Sequence, residues 1–401
     1  MRFFKLIPVF VAVCLSSCTQ KKELPSSQWY KGNLHTHSYW SDGDEFPEVI
    51  MDWYKSNGYQ FVALSDHNTL ARGDKWKRLR KDSLYQNAFQ NYLNTYGTDW
   101  VKYRLDSLGS TWVKLKTYDE YKPLFEEHEK FLILRAEEIS DHFESKPLHM
   151  GAINVQEEIA PQGGNSVLEV LQYNLNAVLK QREESGVPMI AHVNHPNYQY
   201  AVSLEDMIAL QNERFFEVYN GHHLVRNLGD SAHLSTEQMW DRINRAYVVQ
   251  NKPLIYGLAT DDSHNYHRKG RRWSNSGRGW IVVRADSLHS HAIIDAMESG
   301  DFYASTGVSL SKVDVTNTHY HVAVEAEPDV SYEIEFIGCK AGKQEAEVLK
   351  KVTATEAIFE YTDDLLFVRC RVTSTKPHPN PIEELMYQMA WLQPVLVSRS
   401  K

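Results

Sequence analysis

Short apolar runs that end directly in histidine or acidic residues recur along this chain, and they constrain its fold more than any other feature. The first run leads into NLHTHSYWSD at positions 33–42, where His35 and His37 stand two residues apart. Residues i and i+2 of a β-strand point to the same face, so both imidazoles can reach one ion, and Asp42 follows just past the strand. Imidazole and carboxylate without thiolate form a ligand set for Zn, Mn or Fe.

Further ligand-type residues stand in the same way at the ends or starts of predicted strands. They are His67, Glu138, His149, His195, Asp262 and His264. Helical patterns lie between these strands, and strands that alternate with helices predict a parallel sheet with right-handed crossovers. Functional residues at the carboxyl ends of many strands are typical of a (β/α) barrel, whereas a doubly wound sheet collects them at one switch point. We therefore expect an α/β barrel.

Two segments depart from this rhythm. Residues 71–128 are rich in Trp, Tyr, Lys, Arg and Asp with helical spacing, which predicts a helical insertion after the second strand. The insertion is either a lid over the site or a solvated surface excursion. Alternating apolar and polar residues predict a small antiparallel β-sandwich at 308–401, close in size to an immunoglobulin-like domain and serving for packing or spacing. The barrel domain then spans 28–307.

The first eighteen residues have the features of a targeting segment. A basic start precedes a short apolar run, and the letters LSSC that end at Cys18 resemble the bacterial lipobox, whose cysteine carries lipid. We expect a lipoprotein signal peptide at 1–18 and a polar tether at 19–27. The protein would then lie in the bacterial cell envelope, on the periplasmic or outer-membrane side, and touch the membrane only through its anchor. An ordinary cleaved signal peptide is the alternative.

Composition narrows the range of functions. Of the 401 residues, 42% are hydrophobic, which is typical of a globular protein with a large core. The formal net charge of −9 argues against an electrostatic nucleic-acid binder. Beyond the targeting segment, the remaining cysteines are Cys339 and Cys370, and whether they pair in an oxidising compartment is open. No pattern predicts the oligomeric state.

Several segments resemble motifs of the PHP superfamily, named for polymerase and histidinol phosphatase. They are NLHTHSYWSDG, ALSDHN, LRAEEIS, LHMGAINV, AHVNHPN and TDDSH, which follow the family order over 33–264. The later segments EVYNG and DFYASTG, and the C-terminal β-domain, are similar to a subgroup that includes hydrolases of carbamates and esters. The resemblance implies a distorted (β/α)7 barrel that holds up to three divalent metals.

The resemblance also implies how the ligands are shared. One ion would be held by His35, His37, Glu138 and Asp262, a second by Glu138, His149 and His195, and a third by Asp42, His67 and His264. The adjacent residues Glu137, Asp261 and His192 would orient these ligands or be structural. A hydroxide activated by the metals would attack phosphorus or a carbonyl carbon. The predicted catalytic residues are His37, Glu138 and Asp262.

A basic loop after the last ligand bears on the substrate. Arg268, Arg271 and Arg272 follow His264 closely, and guanidinium groups pair well with phosphate oxygens. This predicts an anionic small molecule, with His222 as a further substrate contact. The alternative is a solvated charged loop.

The sequence leaves three functions open. The first is a lipid-anchored, metal-dependent phosphoesterase that acts on a small phosphorylated substrate. The second is a carboxyl-ester, amide or carbamate hydrolase that uses the same ions. The third is a non-catalytic surface binding lipoprotein, against which the complete ligand set argues.

Overall fold

A computed structural model describes residues 27–383 and 385–397 and shows a mixed α/β protein with one large central sheet. Its helices are α1 (Pro47–Ser56), α2 (Ser83–Trp100), α3 (Tyr118–Phe125), α4 (Val167–Ser185), α5 (Leu204–Ala209), α6 (Thr236–Val249) and α7 (Ser290–Glu298). None of these described helices has the length and hydrophobicity that a bilayer span requires. The predicted signal peptide with Cys18 lies outside the described residues.

The strands fall into two groups along the chain. Before α7 they are β1 (Gln28–Asn33), β2 (Phe61–Leu64), β3 (Trp76–Arg78), β4 (Tyr103–Leu105), β5 (Thr111–Lys114), β6 (Leu132–Phe143), β7 (Lys146–Ile153), β8 (Ile190–Val193), β9 (Phe215–Asn220), β10 (Tyr256–Thr260) and β11 (Trp280–Ala285). After α7 they are β12 (Phe302–Ser305), β13 (Leu310–Val315), β14 (His319–Val324), β15 (Tyr332–Lys340), β16 (Glu347–Thr353), β17 (Glu356–Glu360), β18 (Leu365–Pro377) and β19 (Tyr387–Leu396).

The main helices begin and end where the sequence has capping residues. Pro47 is the first residue of α1, a position where its missing N–H costs nothing. The side chain of Ser166 accepts the N–H of Glu169 at the start of α4, and Gly186 ends that helix in a left-handed conformation. These local signals set the helices that cover the sheet, and the core of the protein lies between them and the sheet.

The large sheet runs in the order β10-β9-β8-β7-β6-β2-β1-β11-β12-β19-β18-β15-β16. Strands β6, β2 and β1 are parallel, and so are β8, β9 and β10, as the sequence predicts. The expectation of a parallel sheet is wrong at β7 and β11, which run antiparallel to their neighbours. At β7 the cause is the connection from β6, which has only two residues and can form a hairpin but no crossover.

No strand ladder within the described residues joins β10 to β1, so the sheet is not a closed barrel. A single parallel bridge between Thr36 and Ser263 links the segments that follow these two strands. The N–H of Asp262 donates to the carbonyl oxygen of His35, and the N–H of His37 donates to that of Ser263, both at 2.9 Å. The carboxyl ends of β1 and β10 are therefore held side by side. The seven-stranded distorted barrel stays a prediction.

The insertion at 71–128 is not purely helical, so this part of the prediction is wrong. Strands β3, β5 and β4 form a separate antiparallel sheet beside α2 and α3. Strands of three or four residues are too short to give an alternation that differs from a helical pattern. The insertion packs closely on α1, because Tyr92 and Trp100 both donate to Glu48 and the ring of Tyr92 stacks on Phe46. It is therefore not a solvated excursion.

The C-terminal region consists of two antiparallel layers. One layer continues the large sheet through β12, β19, β18, β15 and β16, and the other is the sheet β13-β14-β17. Both layers contribute to one apolar cluster, which includes Tyr320 and Phe336. The domain boundary after Gly307 and the immunoglobulin-like character stay predictions.

The two cysteines of this region do not form a disulfide. Cys339 on β15 and Cys370 on β18 are buried free thiols. The pairing of the two strands sets Cys339 opposite Phe367 and Cys370 opposite Phe336, so the thiols do not face each other.

Candidate metal centre

All nine side chains predicted as ligands meet at one place, beside the carboxyl ends of β1, β2, β8 and β10. His35, His195 and Asp262 lie two residues beyond their strands, and His67 lies three residues beyond. Glu138 instead lies within the long strand β6. Segments that are far apart in the sequence therefore bring their imidazoles and carboxylates together, as the sequence predicts.

A hydrogen-bond network fixes the two histidines that follow β1. The side-chain amide of Asn33 donates to the carbonyl oxygen of His35 at 3.0 Å and to the hydroxyl of Tyr54 at 2.8 Å. The same hydroxyl lies 2.8 Å from Oγ1 of Thr36. The Nε2 atoms of His35 and His37 are 3.1 Å apart. The spacing of two residues thus brings both imidazoles to one point, although β1 has already ended.

Asp42 is carried by a loop that Asp66 and the insertion hold in place. Asp66 accepts hydrogen bonds from the backbone N–H of Ser38 at 2.8 Å and from the hydroxyl of Ser41 at 2.6 Å. Lys77 of the insertion donates to the carbonyl oxygen of Ser41 at 3.1 Å. No residue of the insertion lines the cavity over the site. The insertion therefore supports the loop of Asp42 and does not form the wall of a lid.

Glu138 is surrounded by imidazoles. Its Oε1 lies 3.1 Å from Nδ1 of His149 and 3.2 Å from Nε2 of both His195 and His35. Its Oε2 lies 2.8 Å from Nδ1 of His67 but makes no hydrogen bond of good geometry in the described part of the chain. A buried carboxylate oxygen with unused acceptor capacity is costly unless a cation or a donor meets it. This atom is therefore suited to a bridging ligand.

Glu217, which sequence reasoning missed, holds two of the predicted ligands. Its Oε1 lies 2.7 Å from Nδ1 of His35, and its Oε2 accepts the backbone N–H of His195 at 2.7 Å. Asn220 donates to Glu217 at 2.7 Å and to Asp262 at 3.1 Å. A carboxylate on the far nitrogen of a histidine fixes the orientation of its ring. The sequence marks this residue weakly, as a lone carboxylate within the largely apolar run FFEVYN, and the structure shows that the whole strand is buried.

Two predicted ligands stand in left-handed backbone conformations that residues with side chains rarely adopt. The φ angle is +24° at His195 and +45° at Asp262. Beside His195, Asn194 donates to Oε1 of Glu138 at 2.7 Å and accepts the N–H of Gly151 at 3.0 Å. Strained conformations of this kind persist only where the surroundings impose them, and they cluster at functional sites.

The titratable groups of the site shift one another's pKa values. Burial alone would raise the pKa of Glu138 and Asp262, but the imidazoles around them hold both values well below the ordinary range. Burial lowers the pKa of His37 to about 4, and the neighbouring imidazoles add to this effect. Burial also acts on His67, but the carboxylates of Glu138 and Asp42 raise its pKa to about 11. Protons on the imidazoles and bound cations are thus alternative ways to balance the carboxylates.

The donor set fits divalent cations. In each of four groups of side chains, the possible ligand atoms all lie within 4.8 Å of one another. The groups are His35 with His37 and Glu138; His35 with His195 and Asp262; His67 with Glu138 and His149; and His37 with Asp42, His67 and His264. The resemblance implies a set of Glu138, His149 and His195, and both of these histidines lie within 3.2 Å of Oε1 of Glu138. In the four groups, however, His149 is joined by His67, and His195 is joined by His35 and Asp262. The identity and number of the ions stay predictions.

A cavity of about 130 Å³ opens over these groups. It is lined by Asp42, His67, Glu138, His149, His195, Tyr198, His222, Asp262 and His264. His35 and His37 lie buried beneath it. His222, predicted as a substrate contact, is therefore at the site, and burial lowers the pKa of its ring to about 3. Sequence reasoning missed Tyr198, which lies on a short 3-10 turn after β8.

The basic loop does not reach this cavity. Arg268, Arg271 and Arg272 are exposed, and none of them is among the lining residues. The guanidinium of Arg268 lies over the ring of Trp273, 4.9 Å from its centre. The buried arginine of this region is Arg278, whose guanidinium donates to backbone carbonyl oxygens. The prediction that the three loop arginines contact substrate has no support in this geometry.

The three neighbours that the resemblance sets beside the ligands are all buried. Glu137 and Asp261 accept hydrogen bonds from backbone N–H groups and, for Asp261, from the hydroxyl of Tyr54. Among the described residues, no hydrogen bond joins either carboxylate to a predicted ligand. His192 lies against Gly151, where a larger side chain would collide with its ring, and burial lowers its pKa to about 4. We conclude that Glu137 and Asp261 hold the backbone.

No protein-family model and no curated protein matches this chain. One similar solved structure is a two-domain protein from Bacteroides vulgatus described as containing a predicted PHP-like metal-dependent phosphoesterase. It has a TM-score of 0.39 and 12% identity, and the match covers 92% of this chain and 96% of that one. A second, from Bifidobacterium adolescentis, is a protein to which metal-dependent phosphoesterase activity is attributed. Its TM-score is 0.30 and its identity 13%, and the match covers 61% of this chain and 90% of that one.

A third is an amidohydrolase from Chromobacterium violaceum with bound sulfate and no metal. Its TM-score is 0.28 and its identity 12%, and the match covers 61% of this chain and 90% of that one. Because all three TM-scores lie below 0.5, these likenesses assign neither a fold nor a function to this chain.

Proposed function

We propose that this chain is a metal-dependent hydrolase of the PHP type that cleaves a phosphoester in a small substrate. The observation that carries the proposal is the convergence of nine imidazole and carboxylate side chains, from segments far apart in the sequence, around one small cavity. Burying so many polar groups costs free energy unless strong partners offset the cost. Divalent cations are partners of that strength.

The residues of the centre would have separable tasks. Glu138, Asp262 and the surrounding imidazoles would hold up to three ions, of Zn, Mn or Fe. Ions held in this way supply Lewis acidity and make a water nucleophile available near neutral pH. His222 and Tyr198, on the cavity wall, would donate hydrogen bonds to substrate oxygens, and the hydroxyl of Tyr198 would pass a proton to the leaving group.

Charge and size favour an anionic group as the part of the substrate that enters. The carboxylates among the predicted ligands are Asp42, Glu138 and Asp262. Three divalent cations would exceed the charge of three carboxylates, so an anion would complete the balance. A volume of about 130 Å³ suits a phosphoryl group, whereas pockets for whole drug-sized ligands measure roughly 300–1,000 Å³.

One observation keeps a second candidate, a hydrolase of carboxyl esters, amides or carbamates. None of the three arginines of the basic loop lines the cavity, so a phosphate would meet no guanidinium there among the described residues. The same ions would polarise a carbonyl group equally well. A surface lipoprotein that binds a ligand without turning it over is the third candidate.

We also propose a setting for the enzyme. The lipobox-like LSSC would anchor it through Cys18 in the bacterial envelope, and its partner would be a small molecule, since a net charge of −9 disfavours nucleic acid. Labelling of expressing cells with a fatty-acid analogue should mark the wild type and leave Cys18→Ser unlabelled. Equal labelling of both proteins would exclude this anchor.

The test of the proposed function is an assay of the purified full chain with Mn²⁺ and with Zn²⁺. Substrates are phosphomonoesters, phosphodiesters, carboxyl esters and amides. We expect stoichiometric bound metal and turnover of phosphoesters above that of the other classes. Glu138→Ala and His37→Ala remove central donors and should each lower kcat/KM by at least about 1,000-fold, or roughly 4 kcal/mol of activation free energy.

His291→Ala is the matched control, because His291 is exposed on α7 and should not affect turnover. Undiminished turnover in both His37→Ala and Glu138→Ala would refute the proposal. Turnover confined to carboxyl esters or amides would instead favour the second candidate. Stoichiometric metal without turnover of any class would favour binding without catalysis.

A further inference from the structure

A second and larger cavity, of about 400 Å³, lies in the seam between α6 and the C-terminal strands. We call it the seam cavity, and its walls include Tyr219, Leu228, Glu237, Arg369, Arg371 and Trp391. None of the nine predicted metal ligands lines it. Its volume falls in the range of small-molecule pockets, roughly 300–1,000 Å³, whereas the cavity of the metal centre is below that range.

The polar wall of the seam cavity is a cluster of ion pairs. Arg369 donates to Asp241 at 2.6 Å and to Glu237 at 3.0 Å, while Arg371 donates to Glu335 at 2.6 Å and to Glu237 at 3.1 Å. Glu347 also lines the cavity and pairs with Lys340 at 3.1 Å, whereas Glu335 is not a lining residue and also pairs with a lysine, at 3.3 Å. Four carboxylates thus face two guanidiniums and two amines. The wall is close to neutral as a whole, so it has no strong preference for an anion or a cation.

One donor of this wall lacks a hydrogen bond in the described part of the chain. Nη1 of Arg369 makes no hydrogen bond within residues 27–383 and 385–397, although the side chain is only 2% exposed. A buried donor left in this state costs roughly 1–3 kcal/mol, and more when it is charged. Arg369 borders the seam cavity, so a small shift of its side chain would bring this donor to an acceptor oxygen of a ligand and remove the cost. We therefore expect the ligand to present oxygen atoms to the polar wall.

Aromatic and aliphatic residues form the apolar part of the wall of the same cavity. The rings of Tyr219 and Trp391 stack with centres 5.6 Å apart, and Nε1 of Trp391 donates to Glu237 at 2.8 Å. Leu228 and Val348 line the rim and are 45% and 48% exposed. Fixed polar groups beside apolar faces suit a ligand with many hydroxyls and a C–H surface, because hydroxyls both donate and accept hydrogen bonds.

We propose that the seam cavity binds a neutral polyhydroxylated molecule of the size of a mono- or disaccharide. This site is separate from the metal centre, so it stands or falls independently of the hydrolase activity. A neutral sugar would satisfy the guanidinium and carboxylate wall without disturbing its charge balance. A phosphorylated or amino sugar would add an uncompensated charge and should bind less tightly.

The test uses the full chain and isothermal titration calorimetry with D-glucose, N-acetyl-D-glucosamine, maltose and myo-inositol. Glucose 6-phosphate and D-glucosamine are the charged comparators. We expect saturable binding of at least one neutral probe at one site per chain, and at least about tenfold weaker binding of the charged probes. Val348→Trp and Leu228→Trp, which each enlarge a side chain that lines the cavity, should each weaken the binding by more than about tenfold.

Val249→Trp is the matched control, because Val249 is an exposed apolar residue that does not line the cavity. It should bind the probes as the wild type does. Three results would overturn the proposal: no saturable binding of any neutral probe, tighter binding of a charged probe, or wild-type affinity in both rim variants. The last result would assign the sugar to another part of the molecule.

Discussion

The molecule buries carboxylates in two clusters that neutralise them by different means. In the metal centre, Oδ1 of Asp262 lies 3.2 Å from Nε2 of His37 and 3.3 Å from Nε2 of His35. In the seam, both oxygens of Asp241 accept hydrogen bonds from Arg369, at 2.6 and 2.8 Å. The carboxylate of Asp262 thus faces imidazole rings, whereas the carboxylate of Asp241 is paired with a guanidinium through both of its oxygens.

The chemistry of the two partners explains what each cluster can do. An imidazole gains and loses its charge near neutral pH and binds metals when neutral, whereas a guanidinium is always charged and cannot bind a cation. The metal centre can therefore exchange protons for cations. The seam cluster cannot, and it joins α6 to β15 and β18. Buried charge alone thus does not identify a metal site, because the kind of partner decides.

Replacement of Arg369 by Ala should give the largest change in stability. The change removes the guanidinium that pairs with Asp241 and removes one of the partners of Glu237. Breaking a buried ion pair typically costs about 3–5 kcal/mol. We expect a loss of this size in the free energy of unfolding, measured by urea unfolding. Turnover per folded molecule should not change, since none of these residues lines the cavity of the metal centre.

A double variant separates loss of the ion pair from loss of packing. Arg369→Met combined with Asp241→Leu removes both partners and leaves Glu237 bonded to Arg371 and Trp391. Apolar replacement of a whole buried pair is often neutral, so stability should return to within about 1 kcal/mol of wild type. A cost below about 1 kcal/mol for Arg369→Ala would contradict the view of this cluster as a fixed joint.

The candidate ligands could be predicted from the sequence because most of them directly follow an apolar run. His35, His195 and Asp262 each lie two residues beyond a strand, where the carboxyl ends of parallel strands meet. Glu217 was missed because it stands within such a run, where a single carboxylate has no neighbour to mark it. The prediction that Arg268 contacts substrate failed for a different reason. A run of charged residues shows that a loop is basic but does not show whether it faces the cavity.

Replacement of Glu217 by Gln tests whether the metal centre depends on its supporting carboxylate. Glu217 holds the ring of His35 and the backbone of His195, and partners of this kind typically contribute 10- to 100-fold to metal affinity. We expect Glu217→Gln to weaken metal binding by about this factor, or roughly 1.4–2.7 kcal/mol. Equilibrium dialysis with Zn²⁺ measures the affinity, and excess metal should restore much of kcat.

Glu137→Gln is the matched control for this experiment. Glu137 is equally buried and one residue from Glu138, but within the described residues the single hydrogen bond that it accepts comes from the backbone N–H of Ile159. Its replacement should leave metal affinity within about twofold of wild type. Equal affinities in Glu217→Gln and wild type would show that the ring of His35 is oriented by other contacts.

The alternation of strands and helices could be predicted from the sequence, but the direction of β7 and the strands of the insertion could not. Strand β7 follows β6 after two residues, and this short connection in HFESKPLHM, rather than the apolar pattern, decides its antiparallel direction. The strands of the insertion are too short for their apolar pattern to be recognised in a segment rich in aromatic and charged residues. The approach of the ends of β1 and β10 depends on contacts such as the bridge between Thr36 and Ser263, which no local pattern encodes.

The carboxyl group of Glu213 is buried in a third way, with hydrogen bonds from backbone N–H groups. Oε1 of Glu213 accepts the backbone N–H groups of Arg214 and Phe215, both at 2.8 Å. Burial raises the pKa of Glu213 to about 8 despite these hydrogen bonds. The charge of the Arg214 guanidinium lowers this pKa only in part, so the side chain of Glu213 keeps its own proton at neutral pH.

Replacement of Glu213 by Gln should therefore flatten part of the pH dependence of stability. As the pH rises from about 4.5 to about 8, the unfolded chain releases this proton while the folded chain keeps it, so the free energy of unfolding falls by at most about 1.4 kcal/mol per pH unit. Glu213→Gln has no such proton, and its stability should overtake that of wild type toward about pH 8. Urea unfolding across this range measures the difference, with the exposed Glu183→Gln as the control. Parallel curves for Glu213→Gln and wild type would mean that burial does not hold the proton on Glu213.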